Sequence, residues 1–281
     1  MHKKKLIILL SSLILCGLGA CATPSTQFDE FATRFQFEKS ALTGRSFEHA
    51  IYKRGARSTE NDVLHIYLGS DGTPWRHNKP ARDPTQRNPL TLKLMLSDDS
   101  PAVYVGRPCY HGLNDQRGCS QELWTSARYS EEIIHSTVAA IEKVIASSKH
   151  KSIALIGYSG GGVIATLAAE RIENVTVLVT IAANLDIDAW TNHHGYDRLL
   201  DSINPASQGP LRSDVEQYHF FGSDDRVVPT EVVNRYFDKN TKSRRRELSN
   251  FDHTCCWEDI WPSLLTEITQ EIPSIPDTIT D

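Results

Sequence analysis

One serine in this chain has surroundings that suit nucleophilic chemistry. Ser159 lies in "IGYSGGGV", with a glycine two positions before it and three glycines directly after it. A serine hydroxyl is a weak nucleophile at neutral pH, so it needs a general base, and that base needs a carboxylate to orient it. The sequence therefore predicts that a histidine and an acid from elsewhere in the chain meet Ser159.

The segments on either side of Ser159 predict how it is held. "SIALIGYS" (152–159) and "VTVLVTIAAN" (175–184) are nearly continuous β-branched and aliphatic runs, as is typical of strands buried on both faces. Other strand-like runs occupy 63–70, 102–108 and 217–225, and helical patterns follow Ser130, which can cap a helix, and cover 165–171, 231–237 and the stretch after Trp257. Strands that alternate with helices predict the α/β class, with a mostly parallel central sheet and helices on both faces.

The spacing Gly157-x-Ser159-x-Gly161, at the junction of a strand and a helix, resembles the nucleophile elbow of the α/β-hydrolases. In that fold the acid follows the serine in the chain and the histidine comes last. His253 fits the role of the base, because "NFDHTCCW" is a turn-like stretch before the final helix. His219 lies inside a predicted strand, and we expect it to be structural.

The candidate acid lies in "FFGSDDRVVP". This stretch resembles the α/β-hydrolase pattern of a glycine, a short gap, an aspartate, one residue, then a valine pair and a proline. That register implies Asp225 as the acid and leaves Asp224 as a loop residue. Asp186 remains the alternative, since some members of the fold take their acid one strand earlier.

Acyl transfer also needs hydrogen-bond donors for the negative charge that develops on the carbonyl oxygen. The amide of Gly160, directly after the nucleophile, is one expected donor. The turn in "IYLGSDGTPW" is expected to supply the other, with the Asp71 amide as the candidate, Ser70 as the alternative and an ordinary glycine turn as the third interpretation. A carboxylate there would oppose anionic substrates.

Several stretches resemble a less-described subgroup of exported α/β-hydrolases, spread over about residues 60–257. They include "YVGRPC", "WTSARYS", "ANLDIDAW" and "DHTCCW". The subgroup implies hydrolase chemistry with no metal and no cofactor, but it implies no particular substrate. It usually has Glu-Gly-Asp-Gly where this chain has Gly69-Ser70-Asp71-Gly72. The turn expected to supply the second oxyanion donor therefore departs from the pattern of the subgroup.

Two further groups of polar and aromatic residues have more than one interpretation. Trp124, Arg128 and Tyr129 could line the mouth of a pocket or contact the catalytic loop, although packing at the start of the helix after Ser130 is the favoured interpretation. Asn184, Asp186 and Trp190 follow the carboxyl end of a strand, where ligands approach open α/β sheets. Two roles remain for these residues: they could line a substrate pocket or support His253. Residues 185–213 are expected to form a small cap, on whose surface His193 and His194 would lie.

The first residues have the layout of a secretory signal. A basic start is followed by an apolar run at 6–15, which is too short to span a membrane as a helix. The sequence "LGAC" that follows resembles the bacterial lipobox. The resemblance implies cleavage after residue 20, lipid attachment at Cys21, and a periplasmic protein anchored in the outer membrane. We therefore expect a signal peptide at 1–20, a lipidated N-terminus and tether at 21–39, the hydrolase domain at 40–270 and a loose tail at 271–281.

The net charge argues against a nucleic-acid partner, and the cysteines suit an exported protein. Removing residues 1–20 takes away three lysines, so the formal net charge changes from −5 to −8, and the one basic run, at 242–246, gives no face for nucleic acid. Cys109 and Cys119 bracket a short polar loop and are expected to form a disulfide, since exported proteins meet oxidising conditions. The state of the adjacent Cys255 and Cys256 is open.

These observations favour a serine hydrolase whose partners are a small-molecule or lipid-like acyl ester and the membrane that holds its anchor. The expected catalytic set is Ser159, Asp225 and His253. The alternative is a catalytically silent envelope lipoprotein that uses the same fold for binding, for which the altered turn at Asp71 is the best support.

Overall fold

The structure is a computed structural model that describes residues 22–55 and 63–271. The expected signal peptide, the lipidation site Cys21 and all but the first residue of the expected tail lie outside the described residues. Within them, no helix combines the length and the apolar character that crossing a bilayer requires.

An eight-stranded sheet forms the centre of the molecule. Its spatial order is β1-β2-β6-β3-β7-β8-β9-β10, and a separate two-stranded hairpin pairs β4 with β5. The ten strands are β1 (Glu38–Thr43), β2 (Glu48–Lys53), β3 (Leu64–Leu68), β4 (Trp75–Arg76), β5 (Lys79–Pro80), β6 (Ala102–Val105), β7 (Ile153–Tyr158), β8 (Val175–Ile181), β9 (Glu216–Gly222) and β10 (Arg244–Leu248). Strands β1, β2 and β6 pair antiparallel, and the pairs from β6 through to β10 are parallel.

Helices cover both faces of this sheet. They are α1 (Pro24–Arg34), α2 (Leu90–Leu96), α3 (Glu131–Ala146), α4 (Gly160–Ala169), α5 (Ile187–His194), α6 (Asn234–Lys239) and α7 (Trp257–Glu271). Side chains of α3 and α4 pack with one set of strand residues, and side chains of α1, α2 and α7 pack with the alternate set. Alternate residues of a strand point to opposite faces, so two apolar cores enclose the sheet. The predicted fold class is confirmed.

Helix α3 begins as the sequence predicts. The Ser130 hydroxyl accepts a hydrogen bond from the Ile133 amide, and Glu131 and Glu132 occupy the first turn. Carboxylates there stabilise the positive end of the helix. This cap places the preceding segment, which carries Arg128 and Tyr129, at the carboxyl edge of the sheet.

The predicted tether at 21–39 is wrong for the part that is described. Residues 24–34 form α1, which Thr23 caps and Pro24 opens, and β1 begins at Glu38. The helix is held by packing, because Phe28 is fully buried and its ring contacts the rings of Tyr52 and Tyr104. The sequence carries signals of this helix, because Thr23-Pro24 is a typical helix start and Phe28, Phe31, Ala32 and Phe35 recur at helical spacing.

Both cysteine pairs are joined in the structure. Cys109 and Cys119 form a disulfide that closes the loop after β6, with their Cα atoms 5.7 Å apart. The neighbouring residues Cys255 and Cys256 are also paired.

Three buried histidines should make the free energy of unfolding depend on pH. His49, His111 and His219 are at most 1% exposed. Burial lowers the pKa of His49 to about 4 and the pKa values of His111 and His219 to about 3. Between these lowered pKa values and about pH 6.5, the unfolded chain therefore binds more protons than the folded chain. The contribution of the neutral buried histidines to the free energy of unfolding is complete above about pH 6.5 and is lost as the pH falls below about 6.5.

We expect the free energy of unfolding to fall by about 1.4 kcal/mol per pH unit for each of these histidines below about pH 6.5. Urea unfolding of the wild type and of His219→Gln between pH 7 and pH 5 measures this, and the variant should show the shallower dependence. His193→Gln, at an exposed position, should follow the wild type. Equal slopes for all three proteins would contradict the assignment.

Candidate active site

Ser159 occupies a sharp turn between β7 and α4. Its backbone has φ 53° and ψ −124°, a conformation that costs a non-glycine residue about 1–3 kcal/mol and persists only where the surroundings enforce it. The Ser159 amide donates to the Ile181 carbonyl of β8 at 2.8 Å. A side chain at position 157 would overlap the Gly161 carbonyl, so the close approach of strand and helix requires glycine there. The turn lifts the hydroxyl out of the carboxyl end of the sheet.

His253 comes from the turn between β10 and α7. One carboxylate oxygen of Asp252 accepts the amides of Thr254 and Cys255 at 2.7 and 2.6 Å and closes this turn. The Tyr158 hydroxyl donates to the His253 carbonyl at 2.8 Å, which ties the turn to the residue before the serine. The Nε2 atom of His253 lies 3.0 Å from the Ser159 Oγ atom.

Asp225 follows β9 and faces the other ring nitrogen of His253. Its Oδ2 atom lies 2.8 Å from Nδ1, while Oδ1 accepts the amides of Val227 and Val228, both at 2.8 Å. The carboxylate is fully buried, and the His253 side chain is 15% exposed. With Nδ1 donating to the carboxylate, Nε2 is free to accept the serine proton.

The alternative acid Asp186 has other partners. Its carboxylate accepts from Arg235 Nε at 2.6 Å and from Asn204 Nδ2 at 2.8 Å, and it caps α5 through the Ala189 amide. Burial would raise the pKa of Asp186, but its hydrogen bonds, first that from Arg235, hold the pKa below the usual value. Asp186 therefore caps α5 and binds Arg235.

Two other pairs in the chain resemble parts of this arrangement. Ser136 and His49 are hydrogen-bonded at 2.9 Å, and His65 and Asp98 at 2.7 Å. All four are buried in the body of the protein. Neither pair is part of a serine–histidine–carboxylate series, so these pairs provide matched controls. His219 is also structural, as predicted, since its Nδ1 atom lies 2.7 Å from the Thr180 hydroxyl.

The two residues expected to supply the oxyanion donors, Gly160 and Asp71, are in contact through the Asp71 side chain. Gly160 is the first residue of α4, where amides have no partner within the helix. A side chain there would overlap the Asp71 carboxylate and crowd the Tyr129 hydroxyl, so Asp71 lies directly against Gly160. Within the described part of the chain, the Asp71 amide donates to no protein acceptor.

Both oxygens of the Asp71 carboxylate accept hydrogen bonds from buried side chains. Oδ1 accepts from Arg107, and Oδ2 accepts from Arg128 Nη1 at 3.0 Å and from the Tyr129 hydroxyl at 2.5 Å. The Tyr110 hydroxyl donates to the Asp71 carbonyl at 3.0 Å. Burial would raise the pKa of Asp71, but the charges of Arg107 and Arg128 hold it below its usual value. The carboxylate is thus ionised but is not a free negative charge facing a substrate, contrary to the expectation from sequence.

The packing and loop-contact interpretations of Trp124, Arg128 and Tyr129 both apply, because Tyr129 packs in the same core as Trp124 and the first turn of α3 and also contacts Asp71. Arg128 and Tyr129 contact the loop that carries Asp71, whereas Trp124 packs in the core. Sequence reasoning assigned no role to Arg107, which is 2% exposed. Its signal was present in "YVGRPC", because an arginine directly after a buried strand needs a carboxylate partner.

Two residues of α5 hold the loop that follows Asp225. Trp190 Nε1 and His194 Nε2 donate to the Val227 carbonyl at 2.7 and 2.8 Å. Val227 is the residue whose amide binds Asp225, so α5 supports the acid rather than His253 directly. Asn184 is buried, and its Oδ1 atom has no protein partner within the described chain.

No group of three or more His, Cys, Asp or Glu side chains is arranged to hold a metal within residues 22–55 and 63–271.

Comparison with known proteins supports the architecture. No family model matches the sequence, and no curated protein matches it either. Solved structures resemble it, among them an esterase from Pyrococcus furiosus, with 13% identity, a TM-score of 0.57, and coverage of 86% of this chain and 94% of the esterase. A serine hydrolase without a lid from Xanthomonas campestris has 16% identity, a TM-score of 0.54, and coverage of 85% and 97%. This chain has the α/β-hydrolase fold.

A third match is similar in extent. An α/β serine hydrolase homologue from Coxiella burnetii shares 14% identity at a TM-score of 0.54, over 84% of this chain and 97% of its own. At such identities the α/β-hydrolase fold is shared, while activity depends on the residues of the individual site.

Proposed function

We propose that this protein is a serine hydrolase that cleaves carboxylic esters, or closely related acyl substrates, through an acyl-enzyme. The observation that carries the proposal is the continuous hydrogen-bonded series from Asp225 through His253 to the Ser159 hydroxyl. The strained elbow adds support, because a positive φ at a serine is maintained where exposing the hydroxyl has a use.

In the proposed reaction the Ser159 Oγ atom attacks the carbonyl carbon of the ester, and His253 Nε2 takes the hydroxyl proton. Asp225 holds the Nδ1 proton and stabilises the imidazolium that forms. The carbonyl oxygen becomes negative and receives hydrogen bonds from the amides of Gly160 and Asp71. The C–O bond to the alcohol then breaks, and the alcohol leaves with the proton from His253.

The second half of the reaction repeats these roles with water. His253 removes a proton from water, the hydroxide attacks the acyl carbon, and the returning proton restores the Ser159 hydroxyl as the acid leaves. An ester is the favoured substrate because an alkoxide leaving group needs less help from a proton than an amine does. We propose a small-molecule or lipid-like acyl ester as the substrate class.

A fluorophosphonate probe tests the nucleophile. We expect the folded wild type to be labelled and Ser159→Ala to resist labelling. Ser136→Ala is the matched control, because Ser136 is also hydrogen-bonded to a histidine but is fully buried. This control should be labelled like the wild type. A folded wild type that takes no label, or labelling that persists in Ser159→Ala, would contradict the proposal and favour the silent binding protein.

A further inference from the structure

The loop that carries Asp71 is fixed by side chains from several separate segments. Arg107 follows β6, and Arg128 and Tyr129 precede α3. All three bind the Asp71 carboxylate, and Arg107 Nη2 also donates to the Arg128 carbonyl at 2.7 Å. Arg128 Nε donates to the Thr125 carbonyl at 2.6 Å, which holds its guanidinium in one orientation.

This cluster orients the backbone of Asp71 at both ends. Its side chain is bound by Arg107, Arg128 and Tyr129, and its carbonyl is bound by the Tyr110 hydroxyl. With side chain and carbonyl both held, the direction of the Asp71 amide is restricted as well. Preorganised donors stabilise a developing oxyanion because they need no reorientation when the charge appears.

The charge of the cluster has a sign that suits this task. A single carboxylate beside Gly160 would repel a developing oxyanion. Arg107 and Arg128 each carry one positive charge and Asp71 one negative charge, so the cluster carries a net charge of +1. Arg107 and Arg128 are 2% and 6% exposed, so water screens this charge weakly.

We infer that Arg107, Arg128 and Tyr129 are positioning residues for oxyanion stabilisation: they orient the Asp71 amide and reverse the charge that its carboxylate would otherwise present. This inference rests on the proposed function. It assigns a task to three buried side chains that do not belong to the Ser159–His253–Asp225 series.

Tyr129→Phe is the most direct test, because it removes one hydroxyl and leaves both arginines. Tyr67→Phe is its matched control, since the Tyr67 hydroxyl also donates to a buried carboxylate at 2.5 Å, that of Asp98. We expect Tyr129→Phe to lower kcat on 4-nitrophenyl butyrate by about tenfold with an unchanged KM, because a lost hydrogen bond to a charged group is worth about that factor. Tyr67→Phe should keep the wild-type kcat even where its melting temperature falls.

Phenylboronic acid separates positioning from a loss of structure. Its tetrahedral serine adduct carries the negative oxygen of the transition state, so its inhibition constant should rise in Tyr129→Phe by the factor that kcat falls. Arg128→Met, which makes the cluster neutral, should lower kcat by more, about 100-fold, and Arg128→Lys should recover part of the loss.

The outcomes distinguish this inference from the proposed function. A wild type without serine-dependent activity would overturn both. An active wild type in which Tyr129→Phe matches Tyr67→Phe in kcat and in boronate affinity would overturn the positioning role alone. If Arg128→Met does not fold, Tyr129→Phe still decides between these results.

Discussion

Replacing His253 with glutamine is expected to lower kcat for ester hydrolysis by on the order of 10⁶-fold. Glutamine can still donate or accept a hydrogen bond, but its amide cannot take a proton from Ser159 at any pH where the protein is folded. The loss should therefore appear in kcat, measured with a chromogenic ester under saturating conditions, with little change in the free energy of unfolding.

His49→Gln is the matched control for this variant. His49 Nε2 lies 2.9 Å from the Ser136 hydroxyl, almost the same distance as the 3.0 Å between His253 and Ser159. We expect His49→Gln to change stability and to leave kcat unchanged. Comparable losses of kcat in the two variants, or a His253→Gln protein that retains activity, would show that the base lies elsewhere.

Asp225→Asn is expected to lower kcat by about 10⁴-fold. The amides of Val227 and Val228 both point at Oδ1, so the side-chain oxygen of an asparagine must stay on that side. Its NH₂ group then faces His253 Nδ1 and forces the proton of the neutral imidazole onto Nε2. In that tautomer Nε2 donates to Ser159 and cannot accept the serine proton.

Asp98→Asn provides the comparison, because Asp98 also binds a histidine, at 2.7 Å from His65 Nδ1. Burial would raise the pKa of Asp98, but its hydrogen bonds, first that with His65 and then that with Tyr67, hold it below the usual value. We expect Asp98→Asn to be less stable at pH 7 and to retain the wild-type kcat. If Asp225→Asn keeps full activity, Asp186→Asn is the next variant to measure.

Local sequence was informative where backbone geometry depends on neighbours in the chain. The Gly157–Gly161 spacing around Ser159 indicates a strand-to-helix turn because only glycine tolerates the close approach. The Ser130 cap and the two buried strands β7 and β8 were recognisable for the same kind of reason. The order of Ser159, Asp225 and His253 followed from the resemblance, and the structure brings the three side chains into one hydrogen-bonded series.

Two other features of the structure were not predicted from the sequence. Helix α1 was missed although Thr23-Pro24 and the apolar spacing from Phe28 to Phe35 indicate it, because the segment after the expected lipidation site was interpreted as a tether. The hydrogen bonds from Trp190 and His194 of α5 to the Val227 carbonyl could not be foreseen, because they join residues more than thirty positions apart.

The local pattern and spacing of the amino-acid sequence determined the α/β class and the position of the nucleophile, and the resemblance to the α/β-hydrolases supplied the candidates for its base and acid. Only the tertiary structure decided that Asp186 is an N-cap bound to Arg235 and that two arginines surround Asp71. The physical reason is that a carboxylate takes whichever cations and donors the folded chain brings to it. Those partners come from distant segments, and spacing along the chain does not encode their distances.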